Sequence, residues 1–263
     1  MKQFLLTKEP DADGTVQIDG NDYHYLVRVR RLAAGEFFTA RLPNGDETQV
    51  QIITITHNLL TCKCMSDIDP NFLPQKRKGA VSIPPIILFQ AMPKGDKMDL
   101  IVRQAAEGGI AKIVPFVSEF SVAKKLSGES QKFTRWEKII KEARQQSGSQ
   151  ICTSLHKPLT ITELFDFWRE LKDEDALGLL FHHQGLEQES LHSYLYKEPK
   201  AAVLAIGPEG GFSDKETALF LENGFMPLTI GDTILRTETA ALYCAAAVRI
   251  LLLEKNTWEL KQA

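Results

Sequence analysis

Two glycine-bearing turns hold the residues best suited to chemistry. The first, Gly207-Pro208-Glu209-Gly210-Gly211, follows the apolar run Ala201–Ile206. The second follows the run Pro227–Ile230 and Gly231, and ends in Leu235-Arg236-Thr237-Glu238-Thr239. Glycine has no Cβ, so a ligand can lie directly on bare backbone. A phosphate loop would carry G-x-x-x-x-G-K-[ST], with a lysine for the charge; this turn carries the anion Glu209 instead. The dinucleotide pattern G-x-G-x-x-G is absent as well. A neutral or cationic ligand bound by backbone N–H and C=O groups fits this chemistry. A turn that merely opens a helix fits the pattern about as well.

The surrounding elements decide how such turns are held. Ser213 with Glu216 forms a capping box, which predicts a helix start just after the first turn. Thr237 is the expected N-cap of an alanine-rich helix reaching about Glu254, with Glu238 favouring the positive end of its dipole. From Ile83 onward strands and helices alternate, so an α/β domain with a mainly parallel sheet is expected. Strands are predicted at 86–92, 110–117, 177–182, 201–206 and 227–230. Helices are predicted at 97–107, 131–146 and 160–171, the last opened by the capping box Thr160-x-x-Glu163. Three turns, 182–185, 207–211 and 231–237, then lie beyond strand C-termini, where open α/β sheets bind ligands.

Residues before this domain read mostly as β. Strands at 35–41 and 47–56 flank Pro43-Asn44-Gly45-Asp46, a strong hairpin signal, and a third strand runs from 59 to 65. A small barrel over 1–67 and a linker over 68–82 are expected, the linker carrying the basic triplet Lys76-Arg77-Lys78.

The net charge is −3, which argues against a globally basic nucleic-acid binder. The distribution is uneven: residues 76–144 hold fourteen basic against seven acidic side chains, and residues 162–199 three against nine. A basic region of this kind marks a polyanion partner, although opposed solvated helical faces explain it too. No stretch of eighteen apolar residues occurs, and the apolar part of MKQFLLTKEPD is short for a secretory leader. The four cysteines form no C-x-x-C pair, and Cys62 and Cys64 share one strand face as small buried thiols. His182 and His183 lack partners at metal spacing. A cytoplasmic protein with no membrane segment and no metal is expected.

GPEGGFS followed by LRTETA resembles the C-terminal signature of the RsmE family, bacterial small-subunit ribosomal RNA methyltransferases of the SPOUT class that act on N3 of a uracil. Further matches are His24 with VRVRRL at 27–32, the segment 94–122 and RWEKIIKEARQQSG at 135–148. One departure is Gly108, where the family has leucine in an E-L-G turn.

The resemblance implies an α/β architecture: an N-terminal PUA-like small β-barrel over 1–67, then a SPOUT trefoil-knot domain over 83–263. It implies S-adenosyl-L-methionine as cofactor, ribosomal RNA or the small ribosomal subunit as partner, and a homodimer. Helix 239–253, with Ala240, Leu242, Tyr243, Ala246, Ala247, Ile250 and Leu251, is the expected interface element; core packing accounts for it equally. Carried over as cofactor contacts are Leu180, Phe181, Gly207, Pro208, Glu209, Gly210, Gly211, Ile230, Leu235, Arg236 and Thr237. His24, Arg28, Arg30, Arg31, Lys94, Lys97, Arg135 and Lys138 are the expected RNA contacts.

Uracil N3 carries a proton between two carbonyls, so its methylation needs a proton acceptor and a partner for the developing anion. Arg236 and Glu238 are the candidates for these two roles. A structural ion pair for Arg236 and a helix cap for Glu238 are the alternatives. A SPOUT methyltransferase for another RNA such as tRNA, and a non-catalytic RNA-binding relative, are the competing functions.

Overall fold

Alternation of apolar and polar residues builds the N-terminal sheet. The computed structural model describes residues 3–65, 82–121, 129–183 and 185–255. The linker expected at 68–82 lies outside them, apart from Ser82. The chain divides into two compact units, and Gln145–Cys152 belongs with the N-terminal one.

In that unit β1 (Phe4–Leu5) and β2 (Thr15–Asp19) lead into α1 (Gly20–Tyr23) and a π-helical segment, His24–Val29. Strands β3 (Phe37–Arg41), β4 (Glu47–Thr56) and β5 (Leu59–Met65) complete a five-stranded sheet of order β1-β3-β4-β5-β2. The Asn44-Gly45 hairpin forms as its sequence requires. Gly45 adopts φ +96°, and the Asn44 side chain bonds the Asp46 amide at 2.8 Å. Phe38, Val50, Ile52, Leu60 and Cys62 alternate inward to form the core with Leu26. Burial, with Cys64 nearby, pushes the Cys62 thiol up to about 11.

The C-terminal unit begins with β6 (Ile86–Ala91), α2 (Lys97–Gly108), β7 (Lys112–Val117) and α3 (Glu129–Ser147), the last as far as Arg144. Short strands β8 (Ser154–Leu155) and β9 (Leu159–Thr160) precede α4 (Ile161–Asp173). Then come β10 (Ala176–Phe181), α5 (Leu191–Tyr196), β11 (Ala201–Ile206), α6 (Asp214–Glu222), β12 (Met226–Leu228) and α7 (Thr237–Glu254). The sheet order is β12-β10-β11-β6-β7-β8, with β9 also on β7, and every pairing is parallel.

Successive residues of a buried strand face opposite layers. On β11, Ala202, Leu204 and Ile206 pack with α2, α3, α5 and α7. Ala201, Val203 and Ala205 pack with α4 and Phe220 of α6. A parallel sheet covered on both faces results, with its strand C-termini gathered at one edge.

Local signals behave as their chemistry dictates. Both predicted capping boxes, at Thr160 and Ser213, are complete. Helix α2 runs through Gly108 and stops at Gly109, whose φ of +75° suits glycine. Two boundaries differ. The run expected at 227–230 is a strand only over Met226–Leu228, which leaves Thr229 and Ile230 in the following loop. The N-cap of α7 is Arg236, and Thr237 is the first helical residue.

Replacing the Thr160 hydroxyl by Thr160→Ala removes the acceptor for the Glu163 amide. It should destabilise the protein by about 1 kcal/mol in urea denaturation, without changing the m-value.

Candidate active site

The turns after β10, β11 and β12 converge on one cavity of about 540 Å³. That size suits a cofactor-sized ligand. The β11 turn supplies Gly207 to Phe212, the loop after β12 supplies Thr229 to Arg236, and the β10 end supplies Phe181, His182 and His183.

Backbone geometry explains the glycines. A Cβ on Gly207 would lie 3.2 Å from Gly211 Cα, a tight contact with backbone at the point where the turn folds back on itself. Gly211 sits at φ +71°, and a Cβ there would meet the His183 ring at 3.2 Å. The turn is closed by the Gly211 amide donating to the Pro208 carbonyl at 3.0 Å. Beyond it, the buried Glu216 carboxylate accepts from the Ser213 amide at 3.1 Å and from the Glu119 amide at 2.9 Å. This holds the end of β7 against the start of α6.

The β10 and β12 turns are tied together as well. The His182 amide donates to the Leu228 carbonyl at 3.2 Å, and the Thr229 hydroxyl to the His182 carbonyl at 3.1 Å. The Thr237 hydroxyl donates to the Gly207 carbonyl at 2.6 Å, which links the β11 turn to α7. This bond corrects the expected cap: a hydroxyl committed to Gly207 is not folded back onto its own helix.

Charge is concentrated beside the β11 turn. The Lys97 ammonium lies 2.8 Å from Glu209 Oε1 and 3.5 Å from Glu238 Oε2. The Lys94 amide donates to Glu209 at 3.0 Å. The hydrogen bond to Glu209 holds Lys97 above the usual lysine range. Burial pushes the Glu209 carboxyl up, but hydrogen bonds from Lys97, its own amide and Lys94 outweigh it, so the net direction is down.

Stability from the lowered carboxyl is present above its unfolded pKa and is lost as pH falls through the folded value. Stability from the raised ammonium is present below its unfolded pKa and is lost as pH rises through the folded value. The clamp therefore holds across the whole range between acid and strong alkali.

Of the expected cofactor contacts, Phe181, Gly207 to Gly211, Ile230, Leu235, Arg236 and Thr237 all line the cavity. Leu180 does not. It is fully buried in the layer of α4 and α6, because neighbours on a strand face opposite sides and Phe181 takes the cavity side.

Arg236 is exposed and lines the cavity; no ion pair engages its guanidinium among the described residues. Glu238 is outside the lining, and Lys97 holds its carboxylate. Lys97 is accordingly committed to two carboxylates and is not a free cation for phosphate.

Arg135 is also engaged, by Asp99, which additionally accepts from Trp136 Nε1 at 2.9 Å. Lys138 is exposed, 3.9 Å from Glu142. Lys94 is exposed, and the contact to Glu209 is made by its amide. In the N-terminal unit His24, Arg28, Arg30 and Arg31 are all exposed on and just after the π-helical segment.

His182, His183, Thr229, Asp232 and Ile234 are cavity residues beyond those expected. The turn at 182–185 was the only sequence signal for the histidines.

Comparison with known proteins gives the family. Residues 81–249 match the model of an RNA methyltransferase domain, and residues 18–63 that of an RNA methyltransferase PUA domain. The ribosomal RNA small subunit methyltransferase E of Synechocystis sp. is 30% identical over 253 residues, covering 95% of this chain and 78% of the relative.

The chain belongs to the ribosomal RNA small subunit methyltransferase E family.

The Bacillus subtilis member is 26% identical over 250 residues, covering 92% of this chain and 93% of its own length. A crystal structure of methyltransferase E from Neisseria gonorrhoeae, bound to S-adenosyl methionine, shares the fold. Its TM-score is 0.75 at 24% identity, over 95% of this chain and 98% of that one. A Legionella pneumophila structure with bound SAM has a TM-score of 0.78 at 27% identity, over 95% of this chain and 97% of the other. The expected α/β architecture is seen, with a PUA domain match before a mainly parallel RNA methyltransferase domain; where a small β-barrel was expected, the described strands form a five-stranded sheet of order β1-β3-β4-β5-β2.

Lys97→Met removes the foremost of the interactions that lower the Glu209 carboxyl. The Glu209 carboxyl should then titrate at higher pH than in the native protein, read by carbon-13 NMR. An unchanged titration would show that the pair does not form in solution.

Proposed function

We propose that this chain transfers a methyl group from S-adenosyl-L-methionine to N3 of a uracil in small-subunit ribosomal RNA. The observation that carries this reading is the cavity itself, walled by the β11 turn and the loop before α7. Its lining is mostly apolar and backbone, and Arg236 is among its charged residues. These residues fit the cofactor. Bare glycine backbone suits the faces of an adenosyl group, and Phe181, Ile230 and Leu235 supply apolar contact. When bound, the cofactor supplies an electrophilic methyl on a positively charged sulfur.

The chain's own residues then have three tasks. The two turns orient the donor and exclude water. Arg236, with its guanidinium free of ion pairs among the described residues, holds the negative charge that develops on a uracil carbonyl as N3 loses its proton. The carboxylate of Glu238, adjacent in sequence to Thr237 and steadied by Lys97, serves as the proton acceptor or its electrostatic partner. N3 belongs to the Watson–Crick edge, so the base must be presented unpaired or extruded.

In this reading residues 1–67 bind RNA through His24, Arg28, Arg30 and Arg31, and residues 83–263 carry the knotted catalytic domain. Lys94 and Lys138 add phosphate affinity, and Arg135 does so if it exchanges Asp99 for a phosphate. The protein works as a cytoplasmic homodimer. Support for a second copy is the outer face of α7, where Leu242, Tyr243, Ile250 and Leu253 are 41%, 53%, 52% and 39% exposed. Among the described residues no helix is long and apolar enough to cross a membrane.

The reading is tested with Arg236→Ala, assayed on small-subunit RNA and on assembled subunits with labelled methyl donor. Turnover should fall on the order of a hundredfold while calorimetric affinity for the donor stays native. A native turnover rate would remove Arg236 from the mechanism. Absence of methyl transfer by the native protein to either substrate would overturn the function.

A further inference from the structure

Gln90 is the one polar residue of β6, and it is fully buried. It follows Ile86 and Leu88 on the layer that faces α7. The sheet does not need it, since β6 pairs with β7 and β11 through backbone alone. Its side chain has other partners. Nε2 donates to the Ala91 carbonyl at 2.9 Å and to Thr237 Oγ1 at 3.0 Å, across 147 residues of sequence. Exchanging the amide oxygen and nitrogen would set oxygen against the Ala91 carbonyl, so Nε2 must be the donor.

This fixes the Thr237 hydroxyl. Its oxygen accepts from Gln90, and its single proton goes to the Gly207 carbonyl at 2.6 Å. The bonds run in one direction: Gln90 to Thr237, Thr237 to Gly207. The relay therefore connects the end of β6, the start of α7 and the first residue of the β11 turn. Gln90 is not in the cavity lining, and the Thr237 hydroxyl is already committed. Gln90 therefore acts on the site only through Thr237, which lines the cavity but whose hydroxyl proton is taken by Gly207.

We propose that Gln90 and Thr237 are positioning residues for the methyl donor, setting the gap between the β11 turn and the loop that leads into α7. The inference rests on the methyltransferase reading of this cavity. A buried polar chain in an apolar layer costs desolvation, and its directed bonds specify one spacing where an apolar pair would permit several.

The test compares Thr237→Val, Thr237→Ser and two substitutions of Gln90. Thr237→Val keeps the shape and removes the hydroxyl; it should raise KM for S-adenosylmethionine about tenfold, with kcat at saturation within about twofold. Thr237→Ser restores the hydroxyl and should restore KM. Gln90→Leu removes the donor to Thr237 and should raise KM in the same direction as Thr237→Val. Gln90→Met gives the same readout should that variant fold poorly.

In the protein without donor, the Gly211 amide, which donates to the Pro208 carbonyl, should exchange about tenfold faster in Thr237→Val. A lowered melting temperature with native KM and native exchange would make the relay purely structural and overturn the proposal, as would failure of Thr237→Ser to restore KM. A native protein that binds no S-adenosylmethionine calorimetrically would overturn the cofactor reading itself. Amide exchange would still report whether the relay holds the turn.

Discussion

One hydroxyl proton joins the two walls of the site. The Thr237 side chain donates to the Gly207 carbonyl, and this is a bond between segments that no strand pairing connects directly. The β11 turn ends a strand in the middle of the sheet, while the loop before α7 follows an edge strand three residues long. Left to strand pairing alone, the spacing between them would depend on that short edge strand. The bond to Gly207 transfers that job to α7, which packs along the buried layer through Ala241, Cys244, Val248 and Leu252.

The electrostatics follow from the same arrangement. Lys97 begins α2, Glu209 belongs to the β11 turn and Glu238 lies in the first turn of α7. One ammonium between two carboxylates draws three segments together beside the β11 turn. Glu209 is thereby neutralised as an anion facing the ligand. That resolves why a Gly-rich turn with a glutamate and no lysine can still serve a positively charged donor: the carboxylate has its own partner, and the glycines present backbone.

Much of this was legible in the sequence, for local reasons. The capping boxes at Thr160 and Ser213, the Asn44-Gly45 hairpin and the glycine stop after α2 depend on residues a few positions apart, and all form. The cavity-forming turns were legible as turns. What escaped were contacts made across the fold. Thr237 has the type and position of an N-cap, but a carbonyl thirty residues away claims its hydroxyl. Lys97 looked like a phosphate-binding cation until α2 placed it between two carboxylates. Leu180 and Phe181 are both apolar and adjacent; only strand phase decides which one reaches the cavity. Gln90, alone in an apolar strand, gives no sign in sequence of a partner 147 residues on.

The account stands on the donor occupying the space between residues 207–211 and 229–237. A crystal structure of this protein grown with saturating S-adenosylmethionine tests that directly. The expected result is the adenosyl group lying on the Gly207–Gly211 backbone, with its sulfonium methyl on the side of Arg236. Density for the donor anywhere else, or none in that space, would contradict it.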